Sequence, residues 1–219
     1  MRIAWAVFSF LPSSLKRRLG TWLLGWDIHP TAYLGRSIIQ VRKLTMGPGA
    51  SIGPRNVIRH LQELHLGEGA SIATRNWIIG YPVGGDAYQH SPNRDPSLVL
   101  GDFSQITVGH EIDCADRVEI GRHASIAGFD CVILTHNLDL VRDRFITSPV
   151  LIGEHSAVMS GCTLLSGTKV PNRAIVSAGS VVTTPLTEEL TLYRGNPAEA
   201  IRTLPDTLGF FRRGEQEPV

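Results

Sequence analysis

Residues 152–181 read IGEHSA, VMSGCT, LLSGTK, VPNRAI and VSAGSV, with an aliphatic residue at the first place of each hexad and a small residue at the fifth. An amphipathic helix repeats its apolar residues every three or four places, and a half-buried strand every two. A strict period of six instead fits short strands joined by sharp corners, three to a turn. The stretch therefore predicts a triangular solenoid with aliphatic side chains inside and small residues at the corners.

The same rhythm extends upstream. Coils begin at residues 28, 46, 66, 100, 120, 152 and 170, at intervals of 18, 20, 34, 20, 32 and 18 residues. The two long intervals contain insertions at about 79–97 and 136–149. The predicted organisation is a β-helix over 28–186, a helical N-terminal segment over 1–27 and a C-terminal extension over 187–219. Loops on repeat proteins tend to collect on the binding face, so both insertions are candidate site elements.

Charge and cysteine usage exclude some classes of function. The chain has 21 Lys and Arg residues against 20 Asp and Glu, so no electrostatic argument favours nucleic acid as a partner. Its cysteines, Cys114, Cys131 and Cys162, are widely spaced and form no CxxC motif. We therefore expect a protein of the reducing cytoplasm, with no zinc-ribbon or redox motif.

The N-terminal segment has two interpretations. The apolar run from Ile3 to Leu11 is too short to span a bilayer as a helix. It is followed by basic residues at 16–18 and by a second apolar stretch that contains Trp22 and Trp26. Residues 3–26 either cap the end of the domain or make peripheral contact with the inner face of a membrane.

In two adjacent coils, larger polar residues occupy corner positions that are small elsewhere in the repeat. Equivalent residues of a stack lie about 4.8 Å apart. The repeat therefore predicts that His110 lies against Asp130 and that Asp116 lies against His136. The His110 column either bridges backbone groups at the corner or contributes to a site. His136 stands where the chain leaves the prism, and an imidazole oriented there by a carboxylate is a competent general base.

The hexad rhythm, the segment ILTHNLD at 133–139, VSAGSVV at 176–182 and GNPAEAIR at 195–202 resemble the hexapeptide-repeat acyltransferases, in particular sugar O-acetyltransferases of the maltose, galactoside and colanic-acid types. The resemblance covers about residues 28–202. It implies an all-β left-handed parallel β-helix, acetyl-CoA as co-substrate, no metal, and a homotrimer with its site between subunits. The implied role is acetylation of a sugar hydroxyl in surface-polysaccharide synthesis.

Carried over residue by residue, the resemblance makes His136 the general base, paired here with Asp116. It places Ser160 and Gly161 at the thioester carbonyl, Ala178 and Gly179 along the pantetheine arm, and Arg202 near the nucleotide phosphates. Candidate acceptor-binding residues are His110, Asp113, Asn137 and Asp139. Relatives often carry Asn after the equivalent of Asp113, whereas this chain has Cys114. The 79–97 insertion, with Tyr81, Tyr88, His90 and Arg94, lies outside the family pattern and is a candidate acceptor lid.

Three alternatives stay open at this point. The same base and groove would serve N-acetylation of an amino sugar. The spacing of His60 and His65 is compatible with a γ-carbonic-anhydrase-like metalloenzyme, although both residues lie on an early coil, far from His110 and His136. A third reading is a non-catalytic scaffold that displays its loops.

Overall fold

The computed structural model describes residues 8–84 and 86–214. Their chain winds as a left-handed parallel β-helix, which confirms the predicted fold class. In chain order the strands are β1 (Asp27–Ile28), β2 (Tyr33–Leu34), β3 (Ile38–Met46), β4 (Ser51–Ile52), β5 (Val57–Leu66), β6 (Ser71–Thr74), β7 (Trp77–Gly80), β8 (Ser97–Leu100), β9 (Gln105–Val108), β10 (Glu111–Cys114), β11 (Val118–Ile120), β12 (Ser125–Phe129), β13 (Val132–Ile133), β14 (His136–Asp139), β15 (Arg144–Thr147), β16 (Val150–Ile152), β17 (Ala157–Val158), β18 (Thr163–Leu164), β19 (Lys169–Val170), β20 (Ile175–Val176), β21 (Val181–Val182), β22 (Thr191–Gly195) and β23 (Ala198–Thr203).

Parallel pairing aligns every predicted coil start. Ile28, Met46, Leu66, Leu100, Ile120, Ile152 and Val170 stand in one register along the first face of the prism. The second face stacks Ile52, Ile72, Ile106 and Ile126, and the third stacks Ile58, Ile78, Ile112 and Ile133. The side chains of these second- and third-face residues are at most 2% exposed. Because one aliphatic residue per face points inward in each coil, the stack forms a single continuous core.

Both insertions leave the prism at the corner between the third and first faces. The first runs from the end of β7 at Gly80 to the start of β8 at Ser97 and contains a 3₁₀ helix, Asp86–Tyr88. The second is an antiparallel hairpin made by β14 and β15. Since the two excursions leave the same corner on nearby coils, they meet above it: the Thr147 N–H donates to the Ser91 Oγ atom at 3.1 Å.

One coil carries an extra residue at the corner between the second and third faces. The pairing of β12 with β9 shifts between Ile126 and Phe129. Gly128 has φ +77° there, and a Cβ atom at this position would collide with the Ser160 hydroxyl, so the bulge requires glycine. As a result Cys131, and not Asp130, fills the buried corner position, while Asp130 is exposed with a left-handed backbone.

The N-terminal segment covers the open end of the prism. Residues 8–10 are helical, and α1 runs from Ser13 to Leu24. The buried Lys16 ammonium donates to the Gly35 carbonyl at 2.5 Å, and the Ser13 hydroxyl accepts from the Leu34 N–H at 2.9 Å. Residues 3–7 of the predicted membrane segment lie outside the described residues. Within the described part, no helix has the length and apolar character needed to cross a membrane.

The C-terminal part extends the prism beyond residue 186, the predicted end of the β-helix. Strand β22 pairs in parallel with β20, and β23 folds back on it in antiparallel fashion. The chain then returns to a 3₁₀ helix, Gly209–Arg212, whose Phe211 side chain is buried. The extension is therefore partly a further strand of the second face.

Candidate active site

His136 and Asp113 form a close pair at the corner from which the hairpin departs. The His136 Nδ1 atom lies 2.6 Å from the Asp113 Oδ2 atom. Because a carboxylate only accepts hydrogen bonds, Nδ1 carries the proton and Nε2 is left with its lone pair when the ring is neutral. The bond to Asp113 and the charge of that carboxylate raise the pKa of His136, against the opposing effect of burial.

The Asp113 carboxylate is itself held in place. Its Oδ2 atom accepts from the Thr135 N–H at 3.0 Å, and its Oδ1 atom accepts from the Ala115 N–H at 3.1 Å. The Asp113 side chain is 11% exposed, whereas that of His136 is 29% exposed. The carboxylate that was predicted to bind the acceptor therefore orients the histidine, and the imidazole is the more accessible of the two groups.

The predicted contact between Asp116 and His136 is wrong. The pairing of Ile133 with Ile112 sets a register that, continued along the coil, brings His136 beside Ala115 and not beside Asp116. His136 begins the hairpin there, and its imidazole reaches Asp113. Asp116 instead ties the two insertions together. Its Oδ1 atom accepts from the Asp95 N–H at 3.0 Å, and its Oδ2 atom accepts from the Thr147 hydroxyl at 2.8 Å.

Aromatic rings from both insertions surround the His136 imidazole. The ring centroids of Tyr81, Tyr88 and Phe145 lie 6.3, 6.0 and 5.9 Å from that of His136, all in edge-to-face geometry. Burial raises the pKa of Tyr88 to about 12, so its phenol stays protonated and neutral. The rings restrict the imidazole and keep water from part of its surface.

Arg94 fixes the first insertion over this site. Its guanidinium donates to the carbonyls of Tyr81, Pro82 and Ala115 at 2.7, 2.5 and 2.9 Å. It also lies 4.7 Å from the centroid of the Tyr88 ring. The described part of the insertion is thus held by a buried cation with several partners.

A groove of about 430 Å³ opens beside His136 along the third face. Its lining includes Arg59, Trp77, Glu111 and Asp113. The Trp77 side chain is 54% exposed and lies in register with Glu111 on the neighbouring strand. Sequence reasoning missed Arg59, Trp77 and Glu111, because they occupy outward positions of the strands, where the hexad pattern imposes no residue type.

His110, predicted as an acceptor-binding residue, occupies a buried corner and does not line the groove beside His136. It is fully buried, its Nδ1 atom accepts from the Cys131 N–H at 3.1 Å, and its Nε2 atom lies 3.0 Å from the Thr107 hydroxyl. Burial lowers its pKa to about 4, so the ring is neutral. The predicted contact with Asp130 is replaced by the one with Cys131, because of the Gly128 bulge.

The other predicted acceptor residues lie on the hairpin. The Asp139 carboxylate accepts from the N–H groups of Val141 and Arg142 and pairs with the Arg142 side chain, so it closes the hairpin turn. Asn137 is exposed on β14. Neither residue lines the groove beside His136.

Four of the predicted cofactor-binding residues, Ser160, Gly161, Ala178 and Gly179, gather at the corner between the second and third faces, whereas Arg202 lies opposite Leu192 towards the start of the second face. Gly161 and Gly179 stack at that corner with φ +67° and +72°, and the Gly179 N–H donates to the Ser160 carbonyl at 2.9 Å. Ala178 and Gly179 are exposed, as is Arg202 on β23. Among the described residues, the Ser160 N–H has no hydrogen-bond partner. Within one chain, the width of the third face lies between these corner residues and His136. That width is roughly 16 Å at about 3.3 Å per residue.

Metal ligands are not grouped in the part of the chain that the structure describes: no cluster of three or more His, Cys, Asp or Glu residues there could hold a metal ion. His60 lies at the groove and His65 on the first face, so the two predicted candidates for a metal site stand on different faces of the prism.

Neither a protein-family model nor a curated protein sequence matches the chain. Among solved structures, a hexapeptide-repeat-containing acetyltransferase of Vibrio cholerae O1 biovar eltor, complexed with acetyl coenzyme A, is 18% identical over 93% of this chain and 89% of that chain, with a TM-score of 0.52. The polySia-specific acetyltransferase NeuO is 18% identical over 81% and 80%, with a TM-score of 0.46. A mutant GDP-perosamine N-acetyltransferase from Caulobacter crescentus, in complex with CoA and GDP-perosamine, is 18% identical over 87% and 65%, with a TM-score of 0.43. The likeness to the Vibrio structure shows that this chain has the β-helix fold of a hexapeptide-repeat protein.

Proposed function

We propose that the protein transfers an acetyl group from acetyl-CoA to a hydroxyl of a saccharide, with His136 as the general base. The observation that carries the proposal is the His136–Asp113 pair at the end of an open groove. An imidazole whose Nδ1 proton is fixed by a carboxylate presents Nε2 as a base near neutral pH. The Vibrio structure that shares the fold is an acetyltransferase complexed with acetyl coenzyme A, which is consistent with this chemistry.

In the proposed reaction the acceptor hydroxyl lies against Nε2 of His136. Its oxygen attacks the thioester carbonyl carbon while its proton passes to Nε2. The tetrahedral intermediate then collapses, the carbon–sulfur bond breaks, and the sulfur of CoA leaves and takes up a proton. Because the hydroxyl attacks directly, no covalent enzyme intermediate forms. The unpaired N–H of Ser160 is the group that we assign to the developing oxyanion.

The groove along the third face supports a saccharide as acceptor. Trp77 offers an exposed ring face of the kind against which the apolar side of a pyranose packs. Arg59 and Glu111 add a donor and an acceptor for hydroxyl groups within the same groove. Hydrophobic surface with a few placed polar groups is the usual composition of a small-molecule site.

The separation of His136 from Ser160 within one chain supports a site shared between subunits, and the family resemblance implies that these subunits form a homotrimer. We propose that Ser160, Gly161, Ala178, Gly179 and Arg202 of one subunit bind CoA beside His136 of its neighbour. Closed cyclic symmetry would repeat such a composite site once per subunit. Sedimentation of the purified protein tests this assembly, and a monomer at assay concentration contradicts it.

N-acetylation of an amino sugar is the second candidate. The geometry of His136 serves an amine as well as a hydroxyl, and one of the less similar solved structures is described as an N-acetyltransferase. The acceptor panel below separates the two, because a 2-amino sugar and its hydroxyl analogue differ only in the attacking atom.

The testing experiment measures free-thiol release from acetyl-CoA with a panel of hexoses and amino sugars. Replacing His136 by Ala should lower the rate by about 10²–10⁴. The matched control is His29→Ala, since His29 lies on the first coil, away from the groove. Equal rates for wild type and His136→Ala on a productive acceptor contradict the proposal. If no acceptor reacts, calorimetry measures whether the protein binds acetyl-CoA. Binding supports a transferase with another acceptor, and no binding supports the non-catalytic scaffold.

A further inference from the structure

The helix α1 packs on the prism with its polar side inward. Ser13, Lys16 and Arg17 make hydrogen bonds to the backbone of the first coil, and Gly20 packs on Trp26. The pKa of Lys16 is lowered, first by burial and then by the charge of Arg36. In a surface helix of a globular protein the apolar stripe normally faces the core. Here that relation is reversed.

The apolar side of α1 consequently faces outward. Leu15, Leu19, Trp22 and Leu23 follow the helical spacing of one stripe, and the Leu15, Trp22 and Leu23 side chains are 41, 79 and 61% exposed. Phe10, just before the helix, is 73% exposed. Contiguous exposed apolar surface of this kind marks an interaction site.

The surroundings of this stripe carry a strong positive charge. Residues 8–59 contain eight Lys or Arg residues and a single acidic residue, Asp27, although the whole chain is nearly balanced at 21 against 20. Arg18 is exposed on α1, and Arg36 and Arg42 are exposed on the adjoining first coil. An outward Trp and Leu stripe flanked by arginine is complementary to an anionic lipid surface, where apolar side chains enter the acyl boundary and cations meet the headgroups.

We propose that α1 docks the protein on anionic membranes through Leu15, Trp22, Leu23 and Phe10. The groove beside His136 would thereby be held near a bilayer, within reach of an acceptor that is itself attached to lipid. This docking does not depend on the proposed reaction, because it is measured by binding alone.

The experiment is co-sedimentation of the full chain with sucrose-loaded vesicles of phosphatidylcholine and phosphatidylserine, or of phosphatidylcholine alone. Wild type should bind the mixed vesicles more tightly, and added salt should weaken that binding. Trp22→Ser should lower the partition coefficient about tenfold, since one large apolar side chain leaves the interface. Val141→Ser is the matched control, because Val141 is 91% exposed but lies on the hairpin.

Three results would overturn the proposal: no binding to either vesicle, equal loss for Trp22→Ser and Val141→Ser, or equal binding to both vesicle types. Sedimentation velocity without lipid tests the alternative that a second copy of the chain packs on the stripe. If Trp22→Ser dissociates a wild-type oligomer and leaves vesicle binding unchanged, the stripe is an interface between copies of the chain. Unfolding midpoints of both variants should match wild type, because each replaced side chain is largely exposed.

Discussion

The imidazole of His136 and the carboxylate of Asp113 belong to neighbouring coils, and their Nδ1 and Oδ2 atoms lie 2.6 Å apart. Two backbone N–H groups, from Thr135 and Ala115, hold that carboxylate from the side of the prism. Aromatic rings from the two insertions contact the imidazole from the other side. The histidine is therefore oriented by the strand ends and by the two insertions.

Asp113→Asn should shift the acidic limb of the pH–rate profile to lower pH. The carboxylate raises the pKa of His136, and the base acts only when neutral, so wild-type activity is lost as pH falls through that raised pKa. The amide carries no charge, so the pKa of His136 falls and the acidic limb moves to lower pH. The maximal rate should also fall, by about 10² or more, because the ring loses its charged partner. An unshifted limb would show that Asp113 does not set the pKa of the base.

Asp116→Ala should affect substrate binding more than proton transfer. Its carboxylate joins Asp95 of the first insertion to Thr147 of the second. Its loss should raise the acceptor KM by about tenfold and lower the free energy of unfolding by about 1–3 kcal/mol, since partly buried N–H and O–H groups lose their acceptor. The acidic limb should stay where it is in wild type. A shift of the acidic limb like that in Asp113→Asn would indicate that Asp116 is the carboxylate that acts on His136.

Arg94→Lys should loosen the first insertion. A lysine has one nitrogen and cannot reproduce the three carbonyl contacts of the guanidinium. We expect limited proteolysis to cut within residues 81–96 about tenfold faster than in wild type, because the folded form of the segment loses more than about 1.4 kcal/mol. Arg42→Lys is the control, since Arg42 is exposed on the first coil. Equal cleavage of the two variants would show that Arg94 does not anchor the first insertion.

His110→Asn should be tolerated, whereas His110→Ala should not. In the corner ladder the Asn56 Oδ1 atom accepts from the Asn76 N–H, the Asn76 Oδ1 atom accepts from the His110 N–H, and the His110 Nδ1 atom accepts from the Cys131 N–H. Asparagine supplies an acceptor of the same kind, while alanine leaves the Cys131 N–H unpaired at a cost of about 1–3 kcal/mol. Urea unfolding of the two variants measures the difference.

The same residue predicts a dependence of stability on pH. Because burial lowers the pKa of His110 to about 4, the unfolded chain binds a proton more readily than the folded one below its ordinary pKa of 6.5. Stability from this group is present above 6.5 and is lost as pH falls towards 4. The decline should be smaller in His110→Asn, which has no imidazole. Parallel declines in both proteins would assign acid sensitivity to other groups.

The hexad pattern was sufficient for the architecture. Because each coil must place one aliphatic residue inward per face, coil starts from Ile28 to Val170 could be read from spacing alone, and pairing confirms them. The pattern was insufficient for contacts between corner residues. The contact of His110 with Cys131 depends on an unrepeated insertion at Gly128, which is visible only once strands are paired. The contact of His136 with Asp113 depends on where the hairpin leaves the prism. Outward groove residues such as Trp77 carry no periodic constraint, so no sequence signal marked them.

The Gly128 bulge is absorbed within one corner. It changes which residue lies above His110, but Ile133 still pairs with Ile112 and with Leu164 on the third face, so the shift goes no further. The inward aliphatic residues reset the register of each coil after such an irregularity. A solenoid can therefore vary in chain length at one corner without moving the side chains of a site at the next.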